Sequence, residues 1–316
     1  MRAAKLVARR GRAAGRALVS PSSQSSQVLQ SPSPRSRPSS WIDRPLGWAL
    51  ALGLLCLLPV ASVYLLNRLA PPRFGTPRGG AASLRLLTWN IGRIHLRWES
   101  RAADRDLAFV AQVLRQVDPQ VAALQELRDP TQLGRLLALL GPGWRGQLPQ
   151  DVYDRRAALL WRVRGEPFEI PTSTGRAAQA ALLRLERGRL LTVVSLHLDA
   201  FDATRRLRQG QEILDATLRE AGGELILAGD FNFDVAVVAR DSLDQRLYRL
   251  LTSTLSDGAA RAGATSLTAR RIDYVFYRSA QWRVRDARVL WQEGIHGMDH
   301  RPLVVELEAT AARGQP

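Results

Sequence analysis

Between Leu46 and Leu66 the chain runs for 21 residues without a charge, LGWALALGLLCLLPVASVYLL. At 1.5 Å per residue, a helix of that length crosses the ~30 Å hydrocarbon core of a bilayer. Trp41, Trp48 and Tyr64 lie near its ends, where interfacial aromatics belong, and a bilayer span tolerates Pro59. A buried soluble helix, a cleaved signal peptide and an organellar transit peptide are competing readings of this region. Every face of the run is apolar, and it is longer than a usual signal core, so residues 45–66 are expected to form a transmembrane helix. Residues 1–44 carry nine basic residues and one acid, and 20–40 are rich in Ser, Pro and Gln. Nothing there can bury apolar surface, which predicts a disordered basic tail. Residues 67–83, NRLAPPRFGTPRGGAAS, read as a Pro/Gly linker.

Of 45 basic residues only Lys5 is a lysine, a bias expected of a GC-rich, bacterial genome. The basic tail favours a cytoplasmic N-terminus. The expectation is a single-pass protein of the bacterial inner membrane with its large domain outside the cytoplasm. The formal net charge of +16 belongs mainly to the tail and linker; the remainder holds 33 basic and 28 acidic residues. That small excess does not by itself indicate a nucleic-acid groove. With one cysteine, Cys56, the chain has no internal disulfide and no Cys-based zinc site.

From residue 84 to 310 the hydrophobic pattern is that of a soluble α/β domain, and 311–316 read as a short tail. Strands are expected at Leu84–Asn90, Val121–Leu124, Ala157–Val163, Ala180–Leu185, Leu190–Leu196, Glu224–Ala228, Ile272–Tyr277, Trp282–Leu290 and Leu303–Leu307. Helical spacing marks Asp104–Val117, stopped by Asp118-Pro119, Thr131–Leu140, stopped by Gly141-Pro142, and Thr204–Glu220. Many strands with interspersed helices suggest two packed sheets covered by helices.

The informative polar residues stand at the ends of apolar runs. Asn90 follows LRLLTW, Glu126 follows VAALQ, His197 follows LTVVSL, and Asp230 and Asn232 follow LILAG. Asp273 lies inside RIDYVF, and Asp299-His300 precede PLVVEL. Strand ends are rigid platforms whose loops form clefts. Carboxylates suit a hard cation such as Mg²⁺, His and Asp move protons, and Asn donates to an oxyanion without adding charge. An Asp after a strand is by itself an ordinary turn residue, and a lone His an ordinary surface group. Only the joint pattern argues for a site.

That pattern resembles the endonuclease/exonuclease/phosphatase superfamily in six segments in order: TWNIG (88–92), LQE (124–126), SLHLD (195–199), GDFN (229–232), RIDYVF (271–276) and MDHRP (298–302). Arg206 and Gln209 also match the family's Arg-x-x-Gln helix. The resemblance covers about 225 of the 316 residues. It implies a four-layer α/β sandwich, two packed and mostly antiparallel sheets flanked by helices. It further implies phosphoester hydrolysis by metal-assisted attack of water with Mg²⁺, or Mn²⁺ in its place.

By the same resemblance Glu126 is the principal metal ligand, with Asn90 and Asp299 completing the metal's surroundings. Asp230 orients and deprotonates the water, Asn232 holds a phosphate oxygen, and His300, oriented by Asp273, contacts the phosphate. His197 donates to the phosphate or leaving group. A histidine at 197 sets the chain apart from the abasic-site branch. Nucleic acid, phospholipid headgroups and soluble phosphoesters all remain as substrate classes, handled by a monomeric catalytic domain. The competing class is a catalytically inactive, membrane-tethered binding module of the same fold. His95 and His296 are expected as loop residues and Asp199 as structural. Trp98, Trp144, Trp161, Trp282 and Trp291 are expected in packing roles.

Overall fold

The computed structural model describes residues 83–92, 106–150, 156–220, 223–291 and 298–310. The expected tail, transmembrane helix, most of the linker, His95, Trp98, His296 and the last six residues lie outside the described residues. Among the described residues no helix is long and apolar enough to cross a membrane.

Among the described residues twelve strands form two six-stranded sheets. The first contains β1 (Ser83–Asn90), β2 (Val121–Leu127), β3 (Arg145–Gln147), β4 (Arg156–Trp161), β11 (Trp282–Val289) and β12 (Leu303–Ala309), in the order β11-β12-β1-β2-β4-β3. The second contains β5 (Arg164–Ile170), β6 (Ala178–Arg184), β7 (Leu190–His197), β8 (Leu225–Asp230), β9 (Ser256–Asp257) and β10 (Asp273–Arg278), in the order β5-β6-β7-β8-β10-β9. Each sheet holds one parallel pair, β1 with β2 and β7 with β8, and its other pairings are antiparallel. A parallel pair needs a crossover, and helices supply it. Helix α1 (Leu107–Val117) lies between β1 and β2, and α3 (Ala203–Glu220) between β7 and β8. Two further helices are α2 (Pro130–Leu140) and α4 (Leu243–Thr252).

The period of two along each strand explains the layers. On β1, Leu84 and Leu86 enter the core between the sheets, whereas Leu87 and Trp89 pack under α1 and α2. On β8, Ile226 and Ala228 face the other sheet, and Leu225 and Leu227 face α3 and α4. Central strands buried on both faces read as near-continuous apolar runs. The result is helix, sheet, sheet, helix, the architecture expected from the sequence.

Local chemistry sets the helix limits. Asp118 ends α1 in a left-handed conformation, φ 52°, and its N–H bonds the Leu114 carbonyl at 2.9 Å. Asp129 caps α2 by accepting the Gln132 N–H at 2.8 Å, with Pro130 in the first turn. The expected Trp packing holds where it is described: Trp161 and Trp282 join the core between the sheets, and Trp144 and Trp291 pack against the helix-side core.

Candidate active site

The core face between the sheets turns polar at one end. On β7, Leu191 and Val193 are followed at the same parity by Ser195 and His197; on β8, Ile226 and Ala228 by Asp230. The register then aligns them. His197 pairs with Asp230 across the parallel β7–β8 ladder, and Asp273 pairs with Asp230 across β8–β10. Three reactive side chains thus stand in one row on neighbouring strands. Asn90, last in β1, reaches this row from the other sheet, and its Nδ2 donates to Asp230 Oδ2 at 3.0 Å.

Glu126 needs a device to join them. Strict alternation puts Gln125 between the sheets and would turn Glu126 towards the helices. A β-bulge between Leu124 and Leu127 breaks that alternation, and Glu126 takes φ 70°. A left-handed glutamate is strained, and such strain gathers at functional positions. The bulge brings Glu126 Oε1 to 3.3 Å from Asn90 Nδ2. Gly92 makes room for the carboxylate, since a Cβ there would lie 2.0 Å from Glu126 Oε2. Asn90 Oδ1 accepts the Gly92 N–H at 2.9 Å, which fixes this passage of backbone.

His300 comes from the loop before β12. Its Nδ1 is 2.8 Å from Asp273 Oδ2, and its Nε2 is 3.7 Å from Asp230 Oδ2. His197 Nε2 lies 3.5 Å from the same Asp230 oxygen. The Trp89 indole N–H donates to the His300 carbonyl at 3.1 Å, so a core residue holds the loop. Burial opposes the charged imidazole of His300, but Asp273 and Asp230 beside it outweigh that and push its pKa up to about 10. Burial, with the charge of Asp273, pushes Asp230 up to about 6, while His300 and the Asn90 hydrogen bond pull it back. At neutral pH the pair is an imidazolium facing a carboxylate.

A cleft of about 590 Å³ collects these groups. Asn90, Glu126, His197, Asp230, Asn232, Asp299 and His300 line it, and Asp273 stands behind His300. All eight residues expected from the sequence therefore meet in one place. Asn232, at φ 56°, donates through Nδ2 to the Leu198 carbonyl at 3.0 Å, which leaves one amide hydrogen for a ligand. Asp299 Oδ1 is buried and makes no hydrogen bond.

Among the described residues Asp230, Asp273 and His300 bring possible ligand atoms within 4.8 Å of one another. Those are the residues assigned to proton and phosphate handling, not to the metal. Asp273 Oδ2 is already engaged by His300, so the trio is arranged as a hydrogen-bonded Asp273–His300 pair with Asp230 3.7 Å from the far ring nitrogen.

Sequence reasoning missed several supporting residues. Gln125, fully buried, reaches Thr88 Oγ1 and Ser195 Oγ at 3.4 Å each, linking the two sheets behind the site. Thr265 Oγ1 accepts the N–H groups of Ile272 and Asp273 at 3.0 and 3.1 Å. Asp199, expected as structural, does hold a turn, accepting the Phe201 and Asp202 N–H groups at 2.9 Å each, but it also lines the cleft.

Comparison with known proteins agrees with this geometry. The model of the Endonuclease/Exonuclease/phosphatase family matches residues 87–302. The chain belongs to that family. Its members are generally hydrolases acting on phosphoesters. A search of the curated proteins finds no match. Among solved structures, the endonuclease/exonuclease/phosphatase from Beutenbergia cavernae is similar at TM-score 0.60 and 19% identity, over 73% of this chain and 72% of that one. The mannosyl-6-phosphatase Bt3783 of Bacteroides thetaiotaomicron is similar at TM-score 0.55 and 20% identity, over 71% and 99%. The human Nocturnin catalytic domain, solved with a bound sulfate, is similar at TM-score 0.54 and 19% identity, over 72% and 94%. At such identities these endonuclease/exonuclease/phosphatase likenesses establish the fold.

Proposed function

We propose that this family member is a phosphoester hydrolase that uses a divalent cation, Mg²⁺ or Mn²⁺, and is anchored in the membrane by residues 45–66. The observation that supports the chemistry is the row His197–Asp230–Asp273, joined across the sheets by Asn90 and completed by His300. Water attack on a phosphoester needs a base, donors to the phosphate oxygens and a sink for growing negative charge. The cleft holds groups suited to each.

Asp230, with its pKa near 6, is a carboxylate at neutral pH and can take a proton from water. Asn90 fixes its orientation. His300, charged and steered by Asp273, presents Nε2 to a phosphate oxygen. His197 can donate to the phosphate or the leaving oxygen, and the free amide hydrogen of Asn232 to a non-bridging oxygen. The oxygen donors Glu126, Asn90 and Asp299 suit a hard cation. The unpartnered Asp299 Oδ1, and the room that Gly92 gives the Glu126 carboxylate beside Asn90, fit that use. A divalent cation held there would polarise a phosphoryl oxygen and offset transition-state charge.

The N-terminal region, with its basic tail and uncharged run, supports an inner-membrane anchor with the domain outside the cytoplasm. Extracytoplasmic nucleic acid, phospholipid headgroups and soluble phosphoesters are the substrate classes, and the catalytic domain acts as a monomer. The test is hydrolysis of bis-p-nitrophenyl phosphate by the purified full chain in detergent, with Mg²⁺ or Mn²⁺ and with chelator. Metal-dependent turnover is expected. Absence of turnover on that ester, plasmid DNA and sphingomyelin would leave a binding module of the same fold.

A further inference from the structure

Phe201 is the most exposed large apolar side chain among the described residues, 91% accessible, and it lines the catalytic cleft. Its position follows His197 by four residues, in the turn between β7 and α3. Turn positions in water ordinarily take small polar residues. A phenylalanine left in solvent forgoes the stabilisation that burial would bring.

The turn that carries it is fixed from several sides. Asp199 Oδ1 accepts the N–H groups of Phe201 and Asp202 at 2.9 Å each. Gln209 Oε1 accepts the Asp199 N–H at 2.8 Å, and Arg206 Nη1 donates to the Asp199 carbonyl at 3.0 Å. Arg206 is itself held by Asp244 through two bonds of 2.8 Å. The ring is therefore presented on a rigid mount, and a ligand that covers it need not order the backbone.

We propose that Phe201 is a stacking platform for a planar ring attached to the reacting phosphate, so that the cleft selects nucleotide-type phosphoesters. This rests on the phosphoesterase reading and narrows its substrate class. Two features of the surroundings choose the ring. First, among the described residues the other exposed large apolar side chains, Leu139, Leu190 and Val237, do not line the cleft. Insertion into a lipid surface uses several apolar side chains together, whereas one aromatic face suffices to stack one ring. Second, Phe201 is the one Phe, Tyr or Trp side chain among the described residues that line the cleft. A quaternary ammonium, as in choline, is held in a cage of several aromatic faces, whereas a neutral planar ring needs only one face to stack on.

The test is isothermal titration of the full chain in detergent and EDTA, where metal-dependent hydrolysis is stopped. The ligands are thymidine 5′-monophosphate, glycerol 3-phosphate and phosphocholine. The chain is expected to bind the thymidine ester about tenfold more tightly than the glycerol ester. Phe201→Ala should bring that ratio close to one, and Phe201→Trp should keep it. Equal affinities for the two esters, or a ratio untouched by Phe201→Ala, overturns the proposal. A preference for phosphocholine that Phe201→Ala abolishes overturns it in favour of a cationic headgroup. The readout does not need turnover, so an inactive protein that still shows the thymidine preference counts against the hydrolase reading and not against the ring subsite. An unchanged melting temperature for Phe201→Ala confirms the fold, because the side chain is solvated.

Discussion

Gly92 decides how closely the main chain can pass the Glu126 carboxylate. Gly92→Ala places a methyl group 2.0 Å from Glu126 Oε2, so the carboxylate must swing away. The expected outcome is a loss of metal-dependent turnover by about a hundredfold, with a melting temperature near that of the wild type. Titrating Mg²⁺ against initial rate checks it, since the apparent metal affinity should weaken too. The second residue-scale prediction concerns charge. His300 keeps its proton up to about 10, so the ion pair with Asp273 is intact at neutral pH and is lost as pH rises through that value. Asp230 must lose its proton to act as a base, which happens as pH rises through about 6. The pH–rate profile should therefore rise near 6 and fall towards 10. Asp273→Asn removes the leading support for the charged imidazole and should move the alkaline limb down by about a unit or more. An unmoved alkaline limb contradicts the role given to His300. The polar residues gathered at the cleft were legible in the sequence because a polar group closing an apolar strand is out of character there. Gln125, Thr265 and Phe201 were not. Their importance depends on partners or cavities supplied by other strands, and as residue types they look ordinary.

Elements differ in how plainly the sequence announces them. The strands buried on both faces, β1, β2, β4, β6, β7, β8 and β12, stand out as apolar runs. β5 does not, because it is an edge strand carrying Arg164, Gly165, Glu166, Pro167 and Glu169, and one side of it faces solvent. β3 and β9 have three and two residues, too few for a period. Helix α4 carries only a short signal: Ser242 caps it by accepting the Gln245 N–H at 3.1 Å, and Leu247 and Leu251 repeat at helical spacing. The bulge in β2 left no mark in the sequence, although it aims Glu126. Packing of α3 on α4 is pinned by the buried Arg206–Asp244 pair. Asp244→Ala leaves a buried guanidinium without its carboxylate and should cost about 3–5 kcal/mol in denaturant unfolding. A cost under about 1 kcal/mol would show that water replaces the carboxylate. Gly229 sets the spacing of β7 and β8 beside the site, since a Cβ there would lie 2.0 Å from the Leu196 carbonyl oxygen. Gly229→Ala should therefore damage both stability and turnover.

At the scale of the molecule, two sheets packed face to face place the ends of their central parallel pairs along one edge, and the cleft opens there. This is why acids, amides and imidazoles separated by up to 210 positions meet at one cleft. The proposed anchor adds a location to that chemistry. A reporter that is active only outside the cytoplasm, fused after residue 316, should be active if the domain is exported; activity of a cytoplasm-only reporter instead reverses the orientation. The central claim is that one cleft performs metal-assisted phosphoester hydrolysis. Its most direct measurement is turnover of bis-p-nitrophenyl phosphate by the full chain, compared with Glu126→Ala and His300→Ala at matched melting temperature. The account predicts turnover that EDTA abolishes and Mg²⁺ or Mn²⁺ restores, lowered about a thousandfold by either substitution. Turnover that ignores the chelator, or survives both substitutions, contradicts it.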